Sequence, residues 1–158
     1  MPMDKQRVLF LCTGNSARSQ MAEAFLRKYG EERFQPYSAG MEPKGLNPLT
    51  LRVMDEAGID VSGQSSKSIK EYIGKVQFQH VITVCDDADK NCPVVWFEGS
   101  ARKHWSFEDP AKQTGTEEAK LAKFREVRDL IKKKIKAWVA ETNKAAQPGY
   151  LSADKKIT

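Results

Sequence analysis

No stretch of this sequence is apolar for long enough to anchor it in a membrane. The one uninterrupted apolar run near the N-terminus is Val8–Leu11, whereas a signal core takes roughly seven residues or more and a membrane span about twenty. A soluble, cytoplasmic protein with no membrane partner is expected. Cysteine is scarce and odd in number, with three in 158 residues, which argues against a static disulfide framework and for thiol chemistry or an incidental structural role. Histidine is scarcer still, with two. Cys85 and Cys92 therefore have a zinc-like spacing with no matching pair, and His80 or His104 would be improvised ligands. Asp87, Asp89 and Asn91 imitate the start of a calcium loop, but Cys92 stands where that loop requires glycine. No metal site is expected. Repeats, linkers and low-complexity blocks are also missing, so one catalytic domain over residues 1–141, followed by a loosely held tail over 142–158 with Pro148-Gly149, is the expected organisation.

Charge, by contrast, is plentiful. A net charge of +5 suits an anionic ligand, yet 21 acidic residues are interleaved with 26 basic ones, and no basic patch of the kind that binds nucleic acid stands out. Lys132-Lys133-Lys134 reads as a solvated helix face near a favourable C-terminal dipole.

The stretch most laden with chemistry is Val8–Ser19. Four apolar residues run into Cys12, five residues separate Cys12 from Arg18, and a helical pattern starts at once with Gln20, Met21, Ala22 and Glu23. A strand, a tight loop and a helix follow from that pattern. Gly14 and Asn15 tolerate unusual backbone angles, so the loop can turn its N–H groups inward beside a helix N-terminus and hold an oxyanion. In that setting Cys12 is expected to have a depressed pKa and to be a thiolate near neutral pH, while Arg18 offers a planar fork of donors to a tetrahedral anion. Taken singly, Cys12 and Arg18 read as a buried cysteine and a surface arginine. Their spacing, the strand before them and the helix after them favour the anion loop.

Along the chain, Arg7–Cys12 reads as a central strand and a helix runs from about Ser19 to Tyr29, stopped by Gly30. Phe34–Ala39 is a second strand. Asn47 caps a helix with Pro48 at its first position and Gly58 at its end. A short helical piece at Ser68–Ile73 precedes a third strand, Phe78–Val84, with Cys85 at its carboxyl end. Val94–Phe97 is an apolar patch and His104–Phe107 a last, shorter strand. The closing helix, about Thr116–Ala140, carries Leu121, Phe124, Val127, Arg128, Ile131, Ile135 and Trp138 on one stripe. This order predicts an α/β fold with a four-stranded parallel sheet, order 2-1-3-4, and helices on both faces. Ligands gather at the carboxyl edge of such sheets, so Cys12 and Cys85 are expected to face one site.

Cys12-Thr13-Gly14-Asn15-Ser16-Ala17-Arg18-Ser19 resembles the signature loop, Cys-x5-Arg-Ser, of the low-molecular-weight protein tyrosine phosphatase superfamily. Asp109-Pro110 stands where that superfamily has a general acid, although the pair alone reads as a turn starter. The resemblance implies Cys12 as nucleophile, Arg18 and the N–H groups of Thr13, Gly14, Asn15, Ser16 and Ala17 as oxyanion binders, Ser19 as a helper of the thiolate, and Asp109 as proton donor. Asn15 reads besides as the residue that holds the loop's strained backbone. The segment from Val84 through Cys85 to Cys92-Pro93 looks like the redox segment of the thioredoxin-coupled arsenate reductases, and the chain follows their pattern through Trp138, including His104-Trp105. A plain phosphatase has no need of Cys85 and Cys92 and would carry an aromatic after Asp-Pro, where Ala111 stands.

What this second resemblance implies is reduction of arsenate by attack of Cys12, a Cys12–Cys85 disulfide as arsenite leaves, and then a Cys85–Cys92 disulfide recycled by thioredoxin. A helical Cys85–Cys92 segment would separate the Cα atoms by roughly 10.5 Å, and a disulfide needs about 7 Å or less, so the segment must unwind on oxidation. Some members bind potassium through groups corresponding to Asn15, Glu23, Ser38 and residues around Ser65–Lys67. Lys67 stands where those members carry aspartate, which leaves either an ammonium in the ion's place or a lysine facing solvent, and potassium is not claimed. No tightly bound cofactor and a monomer are expected. The leading reading is arsenate reductase. A phosphotyrosine phosphatase with regulatory thiols and a non-enzymatic anion-binding module are the alternatives, and a structural pair of small apolar thiols remains open for Cys85 and Cys92.

Overall fold

A computed structural model describes residues 5–92 and 97–145. Four parallel strands, β1 (Gln6–Cys12), β2 (Phe34–Gly40), β3 (His80–Thr83) and β4 (Ala101–His104), form one sheet in the order β2-β1-β3-β4. The helices are α1 (Arg18–Gly30), α2 (Pro48–Glu56), α3 (Asp86–Asn91) and α4 (Glu117–Ala145). Fold and strand order are those expected from the sequence.

β1 is central and apolar on both faces because each face has its own aromatic layer. Phe10 lies against Trp105, which meets Trp138 of α4, and Trp138 in turn stacks on Phe34 at 4.8 Å. On the other face Tyr37, Tyr72, Phe78 and Phe97 meet edge to face. Phe10, Phe25, Phe34, Phe78 and Phe124 are fully buried, each contributing about 1.5–3 kcal/mol of transfer free energy. α1 packs along α4 beneath the first of these layers.

α2 begins as its sequence dictates, with the Asn47 side chain accepting from the Leu49 N–H and Pro48 in the first turn, and Gly58 follows it at φ +79°. Elsewhere the chain departs from expectation. The last strand is Ala101–His104 rather than His104–Phe107. It is an exposed edge strand of mostly polar residues and so carries little hydrophobic signal. Trp105 still donates its N–H to the Thr83 carbonyl and then leaves the ladder, which carries Phe107 and Asp109 over the end of the sheet. Gly30 does not stop α1 through a left-handed turn. It is the helix's last residue, and a Cβ there would meet Leu26 at 2.8 Å and Phe34 at 3.0 Å, so close packing is what demands glycine. β3 is shorter than Phe78–Val84, although Gln79 and Val84 extend its hydrogen bonding to β1 at each end. α4 continues to Ala145, into the residues assigned to the tail. Residues 146–158, including Pro148-Gly149, and residues 93–96, including Pro93 and most of the 94–97 patch, lie outside the described residues.

Candidate active site

A cleft of about 840 Å³ opens at the carboxyl ends of the strands, where β1 ends in Cys12, β3 leads to Cys85 and the chain after β4 brings in Phe107, Glu108 and Asp109. Its floor is the loop from Cys12 to Arg18. The loop carbonyls are turned outward because a surrounding shell takes them. Met41, Glu42, Lys44 and Asn47 donate backbone N–H groups to the carbonyls of Cys12, Thr13, Gly14 and Ser16, and Gln20 Nε2 donates to that of Asn15. Carbonyls that face out leave the loop amides facing in, as an oxyanion cradle requires.

Asn15 alone of the loop adopts a left-handed conformation, at φ +48°, and it is fully buried. Gly14 was expected to share that role but has no positive φ. The close approach falls instead at Gly40, where a Cβ would lie 2.6 Å from the Thr13 carbonyl oxygen and 3.0 Å from the Asn15 nitrogen. Asn15 also differs from its expected place, because it does not line the cleft and its N–H points 3.2 Å to Cys12 Sγ. Thr13, Gly14, Ser16, Ala17 and Arg18 do line it.

The hydrogen-bond directions behind Cys12 follow from one unambiguous donor. The Lys67 backbone N–H and Gln20 Nε2 both donate to Asn15 Oδ1, which turns Asn15 Nδ2 toward Ser19, to whose Oγ it donates at 2.8 Å. The Ser19 hydroxyl lies 2.9 Å from Cys12 Sγ, and toward a thiolate, which has no hydrogen of its own, it is the donor. Ser19, Asn15 and Gln20 are all fully buried. This polarised chain favours a thiolate, as do the Arg18 charge and the Asn15 N–H. Burial outweighs them all, and with the Cys85 sulfur nearby it pushes the Cys12 thiol up from its ordinary value. The depressed pKa expected from the loop pattern is therefore corrected: the pattern supplies the stabilising donors but cannot show the depth at which the sulfur lies.

Arg18 crosses the cleft. Its Nη1 donates to the Phe107 carbonyl at 3.0 Å and its Nη2 lies 3.5 Å from Asp109 Oδ2. Asp109 also caps the turn Pro110–Lys112, accepting from the Ala111 N–H, so the expected turn is present and the carboxylate that starts it lines the cleft.

Cys85 lines the same cleft as Cys12, with its Sγ 3.5 Å from the Thr13 hydroxyl. That hydroxyl donates to Asp87 Oδ2 at 2.8 Å and ties the anion loop to α3. Cys85 caps α3, accepting from the Ala88 N–H, and Cys92 ends it, donating its N–H to the Ala88 carbonyl. All three cysteines are reduced and buried. Cys92 is not part of the cleft; burial pushes its thiol up, against the pull of the nearby Arg102 charge. Cys85 and Cys92 thus flank α3 as its two caps, each with extended backbone, and the helix lies between them.

Lys67 turns inward rather than to solvent alone. Half-buried, it donates Nζ to the Ser65 carbonyl at 2.6 Å, and burial pulls its pKa down against the opposing charges of Glu23 and Glu71. The Glu23 carboxylate accepts from Ser38 at 2.6 Å and pairs with Arg27. The Glu23 carboxylate is thus paired with a guanidinium, and the Lys67 ammonium lies at the Ser65 carbonyl beside it. Among the described residues no group of three or more His, Cys, Asp or Glu side chains is arranged to hold a metal.

Lys44 and Lys112 also line the cleft and were missed by the sequence reading. Lys44 follows the end of β2 in a segment taken simply as loop, although its place at the carboxyl edge of the sheet was a usable signal.

The chain matches the family described as low molecular weight phosphotyrosine protein phosphatase over residues 7–148. It is 48% identical to the arsenate reductase of Halalkalibacterium halodurans over 143 residues, which is 90% of this chain and 100% of that protein. Among solved structures it is similar to an arsenate reductase in an oxidized state, with TM-score 0.73, 32% identity and coverage of 86% of this chain and 98% of that one. An arsenate reductase in a phosphate binding state is similar at TM-score 0.72 and 33% identity, covering 86% and 98%.

Proposed function

The chain belongs to the low molecular weight phosphotyrosine protein phosphatase family, and within that family we propose that it is an arsenate reductase that stores oxidation in its own cysteines. The observation that carries this reading is Cys85. A second thiol lines the cleft of the nucleophile Cys12, and a third, Cys92, closes the short helix that starts at Cys85. Phosphate-ester hydrolysis uses only the first. The identity with arsenate reductases over 90% of the chain supports the same choice.

In the proposed reaction the loop amides and Arg18 hold the tetrahedral anion, and the Cys12 thiolate attacks arsenic. An oxygen leaves as water, with its proton supplied by Asp109. Arg18 exchanges its contact with Asp109 for the anion, so binding and the release of the acid are coupled. The Cys85 thiolate then attacks Cys12 Sγ. The sulfur–arsenic bond breaks, its electron pair stays on arsenic, and As(V) leaves as As(III) while Cys12 and Cys85 are oxidised to a disulfide. Cys92 attacks Cys85, Cys12 departs as thiolate, and the Cys85–Cys92 disulfide is left for a dithiol protein of the thioredoxin type in a reducing, cytoplasmic compartment.

The test is arsenate-dependent oxidation of NADPH in the presence of thioredoxin and thioredoxin reductase. Sustained turnover is expected from the parent, a single turnover from Cys92→Ser and none from Cys12→Ser. Multiple turnover by Cys92→Ser would overturn the relay. Hydrolysis of aryl phosphates without any arsenate-dependent NADPH oxidation would favour the phosphatase reading.

A further inference from the structure

We propose that Arg102, on β4, is the latch of the redox segment: its guanidinium holds the Cys92 end of α3 closed and must let go before Cys92 can reach Cys85. The proposal rests on the relay described above. Strand alternation puts Arg102 and His104 on the same face of β4, the face that α3 covers. From there the two side chains brace opposite ends of the helix. His104 Nε2 lies 2.8 Å from Asp86 Oδ1, which also accepts from Ser106, next to Cys85. Arg102 donates Nη1 to the Cys92 carbonyl at 3.1 Å and Nη2 to the Asp89 carbonyl at 2.9 Å, with Asp89 Oδ1 at 3.6 Å. Carbonyls at a helix C-terminus lack intrahelical donors, and a guanidinium fork supplies two at once.

The geometry decides which end moves. Cys85 follows β3 directly, Val84 is bonded to Leu11 of β1, and in the mixed disulfide Cys85 would be tied to Cys12. The Cys92 end must therefore travel. Closing a Cα separation of roughly 10.5 Å to about 7 Å requires a movement of about 3.5 Å. Bonds of 2.9 and 3.1 Å to the Asp89 and Cys92 carbonyls do not survive such a displacement. The exchange itself is balanced: the Cys92 thiolate forms a bond to Cys85 Sγ, the Cys12–Cys85 bond breaks, and Cys12 takes the electron pair.

Arg102→Lys keeps the charge beside Cys92 but loses the fork, and Arg102→Gln loses both. Two readouts follow a single turnover with one equivalent of arsenate: arsenite released, and the disulfides mapped after acid quench. The third is hydrogen exchange of the amides at 89–92 in the reduced protein. In both variants arsenite release is expected within about twofold of the parent. Exchange at 89–92 should be roughly tenfold faster, as expected for loss of a charge-assisted clasp, and in Arg102→Lys the Cys85–Cys92 disulfide should form about threefold faster or more. Unchanged exchange at 89–92 would overturn the latch. So would slower disulfide transfer in Arg102→Gln with normal transfer in Arg102→Lys, which would make the charge, not the clasp, the working part. No arsenite from the parent would instead defeat the reduction reading, and hydrogen exchange would still judge the latch.

Discussion

Ser19→Ala removes one hydroxyl from behind the nucleophile, and its effect should depend on pH in a particular way. The Ser19 hydroxyl accepts from Asn15, lies 2.9 Å from Cys12 Sγ, and donates to that sulfur once it is a thiolate. A hydrogen bond to a charged group is worth about 1.5–3 kcal/mol, equivalent to roughly one to two pH units at 1.36 kcal/mol each. Burial already holds the Cys12 thiol above its ordinary value, with Ser19 as the largest opposing influence. Wild-type kcat/KM for arsenate should therefore rise with pH as the thiol ionises, and Ser19→Ala should move that rise upward by about one to two units. Near neutral pH the variant should be about 10- to 100-fold slower, and the two proteins should converge at high pH. The assay is the pH profile of arsenite formation, paired with the ultraviolet absorbance of the thiolate in the enzyme alone. A loss of the same size at every pH, with an unshifted thiolate titration, would refute the reasoning and leave Ser19 a structural part of the loop.

Gly40→Ala should disable the loop without touching a reacting group, because its Cβ would be driven against the backbone of Thr13 and Asn15. A kcat/KM lowered at least about tenfold, alongside a stability loss of about 1–3 kcal/mol, is expected from such overpacking and is read by steady-state kinetics and urea unfolding. Glu56 links α2 to α4 through Arg125 and Arg128, and the Arg125 hydrogen bond chiefly brings its pKa down to about 2. A folded-state value below the unfolded one adds stability above about pH 4.5 that is lost as pH falls through about 2. The urea midpoints of the parent and Glu56→Gln should accordingly differ at pH 6 and converge toward pH 2; a constant difference would contradict the linkage.

Local signals carried much of the fold into view. Asn47-Pro48 wrote its own helix start, Val8–Leu11 announced a central strand, and the stripe from Leu121 to Trp138 packs as its spacing says. What depends on distant chain was hidden. β4 is a polar edge strand whose place is set by its pairing with β3, so its composition gave no notice of it. Gly30 looked like a helix stop, but Leu26 and Phe34 explain it. At the site, Cys12, Arg18, Asp109 and Cys85 were legible as residue types at telling spacings and now share one cleft. The direction of the Cys12 pKa was not, because burial is a property of the assembled layers. Arg102 was equally silent, since the carbonyls it meets exist only once the sheet is built.

The central claim is that Cys85 and Cys92 convert thiolate attack on an oxyanion into reduction. It is tested most directly by counting thiols in one anaerobic turnover of the fully reduced protein with excess arsenate. Two thiols lost per arsenite released, mapped to Cys85 and Cys92 with Cys12 free, is the predicted result. Arsenite released with all three thiols intact, or with a mapped disulfide that excludes Cys85, would contradict it.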